Sequence, residues 1–373
     1  MPPSSSPPDP APRFGVEEEF IVVDAASRAP VPQAGQIVRD AAPYLADRVA
    51  GEITPLQVET RTAPCASVAD LVSQLTGARK VIADCARSRG LRVVASGSAV
   101  IAGPVPPPIT VGPRQSRGTE TFRGLHDEVA ICALHVHVEM PDRELAVQVG
   151  NHLRPYLPVL LTLTANSPYW DNRDSGYASW RTMTWSRWPV AGPPPLFASA
   201  THYEQVVESL LAAGALVDRG TVFWDVRPSH TKPTLEVRVA DSAVTAEESA
   251  LYAAVVRALV THLSAAVRRG EPPVDVPVEQ LRAAYWRAAR DGLDGHGLDL
   301  FTGRLRPAAD LVGALIDTVA PVLRDQEAHP FVVDWWGRVL AEGTGARRQR
   351  AVAADNDGDA AAVVDWLADR TAD

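Results

Sequence analysis

The chain has 373 residues, 46% apolar and 22% charged, the make-up of a globular protein with a large core. Its 36 basic and 45 acidic residues leave a formal charge of -9, which excludes the positive field that would hold nucleic acid or an anionic membrane; small molecules are the expected partners. Cys65, Cys85 and Cys132 have no CxxC spacing, which argues against a disulfide framework or a zinc knuckle and fits the reduced thiols of a cytoplasm.

In chain order, residues 1–12 are rich in Pro and Ser, lack the basic start and apolar run of a signal peptide, and are expected to be a disordered tail. Residues 14–24, containing GVEEEF, read as a strand. Alternation puts Glu17, Glu19 and Ile21 on one face and Glu18, Phe20 and Val22 on the other. Two like charges on one face repel, and burial is tolerable only with a proton, a cation or a metal between them. GEITPLQVETR, 51–61, reads as two short strands about Pro55, with Glu59 and Arg61 on one face and Glu52 across the turn. Residues 67–89 have a helical apolar period closed by Gly90, and LRVVAS, 91–96, is a strand. A Pro- and Gly-rich loop then runs to about residue 122, long enough to contact substrate.

ALHVHVEM, 133–140, alternates as a strand with His135, His137 and Glu139 on one face. Residues 143–165 read as a helix despite Pro155 and Pro158. The segment 166–189 carries Trp170, Trp180, Trp185 and Trp188 among Arg173, Arg181 and Arg187; it reads as a structured loop offering a stacking wall. A helix over 201–213 and strands over 222–228 and 234–241 follow, the last with Glu236 and Arg238 on one face. A long helix begins after Thr245, which stands in capping-box spacing with Glu248. Further helices are expected over 277–290, 307–326 and 330–342. Residues 13–350 read as one catalytic domain and 351–373 as a tail with one more short helix. No run approaches the roughly 18 consecutive apolar residues of a membrane span. The pattern is α+β, because a doubly wound sheet would need strict alternation of strand and helix.

Four strands thus carry metal-type ligands on one face. If they are neighbours, their polar faces make a concave floor of carboxylates with a few imidazoles and guanidiniums. A floor rich in carboxylate oxygen and poor in thiolate suits Mg2+ or Mn2+ better than zinc. The arginines among the carboxylates call for an anion, and phosphate is the natural one. Metal, arginine and phosphate together suggest phosphoryl transfer. No Walker loop, GxGxxG or GxSxG is present, so a nucleotide would be held through metals and arginines.

The stretches GVEEEF, ETRT, CALHVHVEM, ANSPYW, SGYASWR, PVAGPPPLF, FWDVRPS, TLEVRVAD, YWRAARDGLDG and RRQR, in this order, resemble the carboxylate–amine ligases of the glutamate–cysteine ligase type 2 family. The resemblance implies a glutamine synthetase-like fold, a curved and mainly antiparallel sheet with helices on its convex side and ATP and Mg2+ (or Mn2+) on its concave face. It implies activation of a carboxylate as an acyl phosphate, which an amine then displaces. Carried over, Glu17, Glu19, Glu52, Glu59, His135 and Glu236 correspond to metal ligands. Arg238 corresponds to the phosphate-binding arginine, acting with Glu59 and Glu236, and His137 to a further group beside the nucleotide. Arg61 and Arg181 are candidates for a substrate carboxylate, and Trp224 and Arg227 for the border of the nucleotide or amine site. A homodimer is in keeping with such relatives.

One stretch departs from the pattern. Where relatives carry a GTHPF-like stretch and an RY pair, this chain reads SGSAVIAGPVPPPITVGPRQSRGTETF, so an acid or amine other than glutamate and cysteine is expected. Two other readings stand beside the ligase. One is a metal-dependent hydrolase or isomerase in which His135, His137 and Glu59 hold one transition metal, with turnover that needs no nucleotide. The other is a catalytically silent binding module, which would bind no ATP in the presence of Mg2+.

Overall fold

The structure is a computed structural model and describes residues 11–128 and 130–373. The tail expected over 1–12 lies, apart from Ala11 and Pro12, outside the described residues. The chain opens with β1 (Phe14–Asp24), α1 (Ala34–Leu45), β2 (Val49–Gly51), β3 (Gln57–Arg61), α2 (Val68–Arg87), β4 (Leu91–Val94) and α3 (Pro113–Phe122). Next come β5 (Ala133–Glu139), α4 (Arg143–Leu153), α5 (Leu157–Thr164), β6 (Tyr169–Trp170), β7 (Arg173–Asp174), α6 (Trp180–Trp185), β8 (Ala191–Gly192) and α7 (Ala200–Ala212). Then follow β9 (Phe223–Trp224), β10 (Val226–Pro228), β11 (Thr234–Asp241), α8 (Ala246–Arg268), α9 (Val278–Asp291), β12 (His296–Asp299) and β13 (Arg304–Pro307). Four helices end the chain: α10 (Ala308–Asp325), α11 (His329–Glu342), α12 (Gly345–Asp355) and α13 (Ala360–Ala372).

Seven strands form the main sheet, in the order β10-β11-β5-β1-β3-β2, with β4 pairing the far end of β1. All of its pairings are antiparallel. The long β1 organises the rest, taking β5 along its first half, β4 along its second and β3 on its other edge.

Alternation does the sorting. Val16, Leu134, Val136, Val138, Leu235 and Val237 turn to the convex side and merge with α4, α5 and α8 into the largest apolar cluster. Further along the same side, Phe20, Val22 and Val58 pack with α1 and α2. The 23-residue α8 is long and apolar enough to cross a membrane, yet most of it is buried inside this core. Thr245 caps it by accepting from the Glu248 N–H (3.3 Å), while the Glu248 carboxylate pairs with Arg348 (2.5 Å) instead of returning to the cap.

Several elements differ from their sequence-based expectation. The helix expected over 143–165 breaks at a 3-10 turn, Arg154–Tyr156, because Pro155 and Pro158 lack the N–H that a continuous helix needs. The loop running to 122 ends in α3, a mostly polar helix of which only Gly118 and Phe122 are buried, so it shows no repeat of apolar residues. The segment 166–189 contains the β6–β7 pair and α6. The strand expected over 222–228 is interrupted at Asp225, whose N–H goes to Gly192 (2.8 Å) and whose carbonyl takes the Arg238 N–H (2.7 Å). Residues past 350, expected as a tail, finish α12 and form α13. Val363, Val364 and Leu367 of α13 are buried, and Thr371 Oγ1 accepts from the Ala95 N–H (2.9 Å) beyond β4.

Candidate active site

The register of the sheet sorts its concave face into rows. Glu236 of β11 lies opposite Arg227 on one side and His137 on the other. Beyond it come the row of His135, Glu17 and Arg61, the row of Glu19 and Glu59, and the row of Val94, Ile21 and Gln57. Rows on one face of a strand stand about 7 Å apart. Glu52 enters from the loop after β2. Thr110 holds that loop: its Oγ1 donates to the Glu52 carbonyl (2.7 Å) and its N–H to the Ile53 carbonyl (2.9 Å).

The ligand-type side chains fall into two groups, Glu17 with His135 and Glu236, and Glu19 with Glu52 and Glu59. Within each group, one ligand atom per residue lies within 4.8 Å of the others. The single transition-metal reading, which joins Glu59 to His135 and His137, is not the grouping found, since Glu59 stands a row away from His135. His137 approaches Glu17 (3.4 Å) through Nε2 and Thr234 Oγ1 (2.9 Å) through Nδ1. Glu139 lies at the exposed strand end and accepts from the Arg13 N–H (3.1 Å).

Electrostatics test whether divalent cations fit. Burial raises Glu19 to about 7, helped by the charge of Glu59; burial likewise raises Glu52 to about 7, helped by Glu19. Glu59 is pushed well above the usual carboxylate range by burial and then by Glu52. Three such carboxylates ionise together at neutral pH only around a positive charge, which an oxygen-ligated divalent cation supplies. In the other group, burial and then Arg238 lower His135 to about 4, so its imidazole is neutral and has a lone pair to give. His135 Nε2 is buried without a hydrogen bond among the described residues, 3.9 Å from Glu19 Oε1. Against the effect of burial, His135 and His137 hold Glu17 well below its ordinary range. Both groups fit Mg2+ or Mn2+.

Cationic side chains ring these groups over a cavity of about 340 Å³. Arg238 is ion-paired with Glu236 and keeps a buried Nε with no hydrogen-bond partner among the described residues. Arg227 donates from Nε to Glu236 (2.8 Å). Arg61 pairs with Glu59 (2.5 Å) and reaches Glu17 at 3.8 Å. Lys232, in the β10–β11 turn, puts Nζ 2.6 Å from Glu17 Oε1. Sequence reasoning missed Lys232; its signal was a lone lysine in the short turn between the strands of Arg227 and Glu236.

Two residues expected as substrate contacts have partners of their own within the protein. Arg181 lines the cavity, but its guanidinium donates to the carbonyls of Val239 (3.3 Å) and Arg238 (3.2 Å). The register of β11 against β5 shifts between Val237 and Ala240, and Arg181 bonds the carbonyls of the two residues in between. Asp241 sets this up by accepting from Asn166 N (2.9 Å), Ser167 Oγ (2.7 Å) and Ser179 Oγ (2.9 Å), which fixes the start of α6. Trp224 is not among the residues lining the cavity: because of the break at Asp225 it packs with Phe197 (5.2 Å between rings) and Tyr203 (5.7 Å) in the cluster under α7. The tryptophans of 166–189 divide as well. Trp185 and Trp188 pack in tilted and edge-on contacts with Phe122 and Phe223 into an aromatic end of the cavity, whereas Trp170 lines a neighbouring one.

The fold and much of the sequence are shared with known proteins. The chain is 47% identical over 367 residues to "Putative glutamate--cysteine ligase 2-2" of Mycobacterium sp. (strain KMS), covering 96% of this chain and 98% of that one. It is 44% identical over 351 residues to "Putative glutamate--cysteine ligase 2-1" of Nocardia farcinica (strain IFM 10152), covering 93% and 90%. In three dimensions it resembles the crystal structure of a glutamate–cysteine ligase from Francisella tularensis in complex with AMP, with a TM-score of 0.72, 12% identity, and coverage of 97% of this chain and 88% of that one. A bifunctional glutathione synthetase from Pasteurella multocida superposes with a TM-score of 0.68 at 15% identity, covering 97% of this chain and 52% of that one. The profile of glutamate–cysteine ligase family 2 (GCS2) matches residues 13–365, and the chain belongs to that family.

Proposed function

We propose that this protein is an ATP-dependent carboxylate–amine ligase that forms an amide bond through an acyl phosphate, and that it works in the cytoplasm. The observation that carries this reading is the pairing of two carboxylate-rich groups with Arg238, whose buried Nε has no acceptor among the described residues. Glu17, His135 and Glu236 would hold one Mg2+, and Glu19, Glu52 and Glu59 another. When bound, these ions offset the repulsion between the ATP phosphates and an attacking carboxylate.

The chain's own groups do the rest. An oxygen of the substrate carboxylate attacks the γ-phosphorus, and the bond to ADP breaks with its electron pair going to ADP. Arg238 donates to the transferring group, where charge accumulates, and Glu236 holds that guanidinium in place. The amine nitrogen then bonds the acyl carbon, the C–O bond to phosphate breaks, and the N–H proton leaves with the phosphate. Trp185, Trp188, Phe122 and Phe223 wall one end of the cavity against water, which would otherwise hydrolyse the acyl phosphate.

The reading is tested by ADP and phosphate release from ATP and Mg2+ with a panel of amino acids as carboxylate donors, each with and without amines, and mass spectrometry of the products. A product mass equal to acid plus amine minus water is expected. Turnover that needs no ATP, or no ADP from any pair, would overturn it.

A further inference from the structure

The row of Val94, Ile21 and Gln57 continues the concave face past Glu19 and Glu59, and over it lies a second cavity of about 240 Å³. Ile21, Leu56, Ile101, Ala102, Pro104 and Trp170 are among the residues that line it. Gln57 lines both cavities and is committed in place: its amide donates to the Ile131 carbonyl (2.7 Å) and its oxygen accepts from Thr54 Oγ1 (3.0 Å). One row separates the Ile21–Gln57 floor from the Glu19–Glu59 pair, about 7 Å along the strand.

Charge divides the two spaces. Arg61, Arg114, Arg181, Arg227, Lys232 and Arg238 all line the first cavity. Among the described residues, the second is lined by no lysine or arginine, and its charged residues there are Asp127 and Asp171. Anionic reactants, the nucleotide and the carboxylate donor, belong in the first. A free carboxylate in the second would be desolvated without a cation and opposed by two carboxylates, whereas an apolar body on a cationic or neutral amine meets matching walls.

We propose that the second cavity receives the body of the amine substrate, and that this amine is a small primary amine with an aliphatic or aromatic group and no carboxylate, rather than an α-amino acid such as cysteine. The inference rests on the ligase reading for the fate of the amine but not for its binding. Its nitrogen would lie toward the Glu19–Glu59 row, one row from its apolar group.

Two measurements separate the ideas. The first is calorimetric binding of 2-phenylethylamine, 3-methylbutylamine and cysteine to the full chain with Mg2+ and a non-hydrolysable ATP analogue. It is run for the wild type, for Ala102→Phe, which fills the cavity, and for Ile101→Ala, which enlarges it. The second is ADP formation with the same amines and the carboxylate donor panel. Binding of the apolar amines at least about tenfold tighter than cysteine, lost in Ala102→Phe and kept in Ile101→Ala, is expected, with the affinity for the ATP analogue unchanged in Ala102→Phe. Tighter binding of cysteine, or apolar-amine binding indifferent to Ala102→Phe in a variant that melts like the wild type, would overturn the inference. Apolar-amine binding of the expected kind with no ADP formed would sustain this site while contradicting the ligase.

Discussion

Glu18 and Arg79 form a two-point ion pair buried beneath the sheet, with Nη2 2.5 Å from Oε1 and Nε 3.1 Å from Oε2. Both side chains are almost fully enclosed, at 0% and 2% exposure. Arg79 also bonds the carbonyls of Ala243 (2.9 Å) and Val244 (2.8 Å), and Ser249 Oγ donates to Glu18 (2.5 Å). The middle glutamate of GVEEEF thus ties β1 to α2 and to the start of α8, while its two neighbours face the cavity. Breaking a buried pair by removing one partner costs about 3–5 kcal/mol. Glu18→Gln is therefore expected to lower the urea midpoint by a corresponding amount, although Glu18 does not face the cavity. Equal midpoints for Glu18→Gln and the wild type would contradict this division of roles.

Glu59 trades stability for function. Burial and neighbouring carboxylates already push its pKa up, so removing its charge relieves repulsion in the metal-free protein. Glu59→Gln is expected to lower kcat by at least about a hundredfold, the scale for losing a metal ligand or its support. In EDTA, the same variant should melt at or above the wild-type temperature. A variant that keeps its turnover, or melts well below the wild type in EDTA, argues against the cluster.

The pH dependence of stability has a definite sign. Glu19 and Glu52 are raised from 4.5 to about 7 in the folded protein, so the native state keeps protons that the unfolded chain has lost. Their contribution is fully present below about 4.5 and is lost as the pH rises through about 7. Urea midpoints of protein in EDTA should fall across that window from this source. With Mg2+ present the fall should flatten, because the cation takes the place of the protons. Identical slopes with and without Mg2+ would show that these carboxylates do not meet at a cation.

Arg181 and Arg238 should separate kinetically and thermodynamically. Arg238→Ala is expected to act mainly on kcat, as a contact made in the transition state does. Arg181→Met leaves the carbonyls of Arg238 and Val239 unpaired, at about 1–3 kcal/mol for each buried group, so the urea midpoint should fall along with kcat. If Arg181→Met raised only the KM of the carboxylate donor and left the midpoint alone, Arg181 would be a direct substrate contact.

Much of this was legible because strands obey a period of two. Alternation alone separated Glu17 and Glu19 from Glu18, put Glu59 beside Arg61, and placed Glu236 with Arg238. What stayed hidden depends on pairing between distant segments. The register shift in β11 that occupies Arg181, and the break at Asp225 that turns Trp224 into the core, are set by neighbouring strands and leave no local period. The division of the candidate ligands into two groups likewise depends on the register of β1 with β3 and β5 and of β5 with β11, which no single strand encodes. α3 escaped notice because PRQSRGTETF buries too few apolar residues to show a helical repeat.

The central claim is that a carboxylate is activated by phosphorylation before the amine attacks. The direct measurement is to label both oxygens of the carboxylate donor with ¹⁸O, let the enzyme turn over with ATP, Mg2+ and amine, and read the released phosphate by ³¹P NMR. One ¹⁸O in each phosphate, in step with amide formed, is the predicted result. Phosphate free of the donor's label, or carrying oxygen from solvent water instead, would show that no acyl phosphate forms.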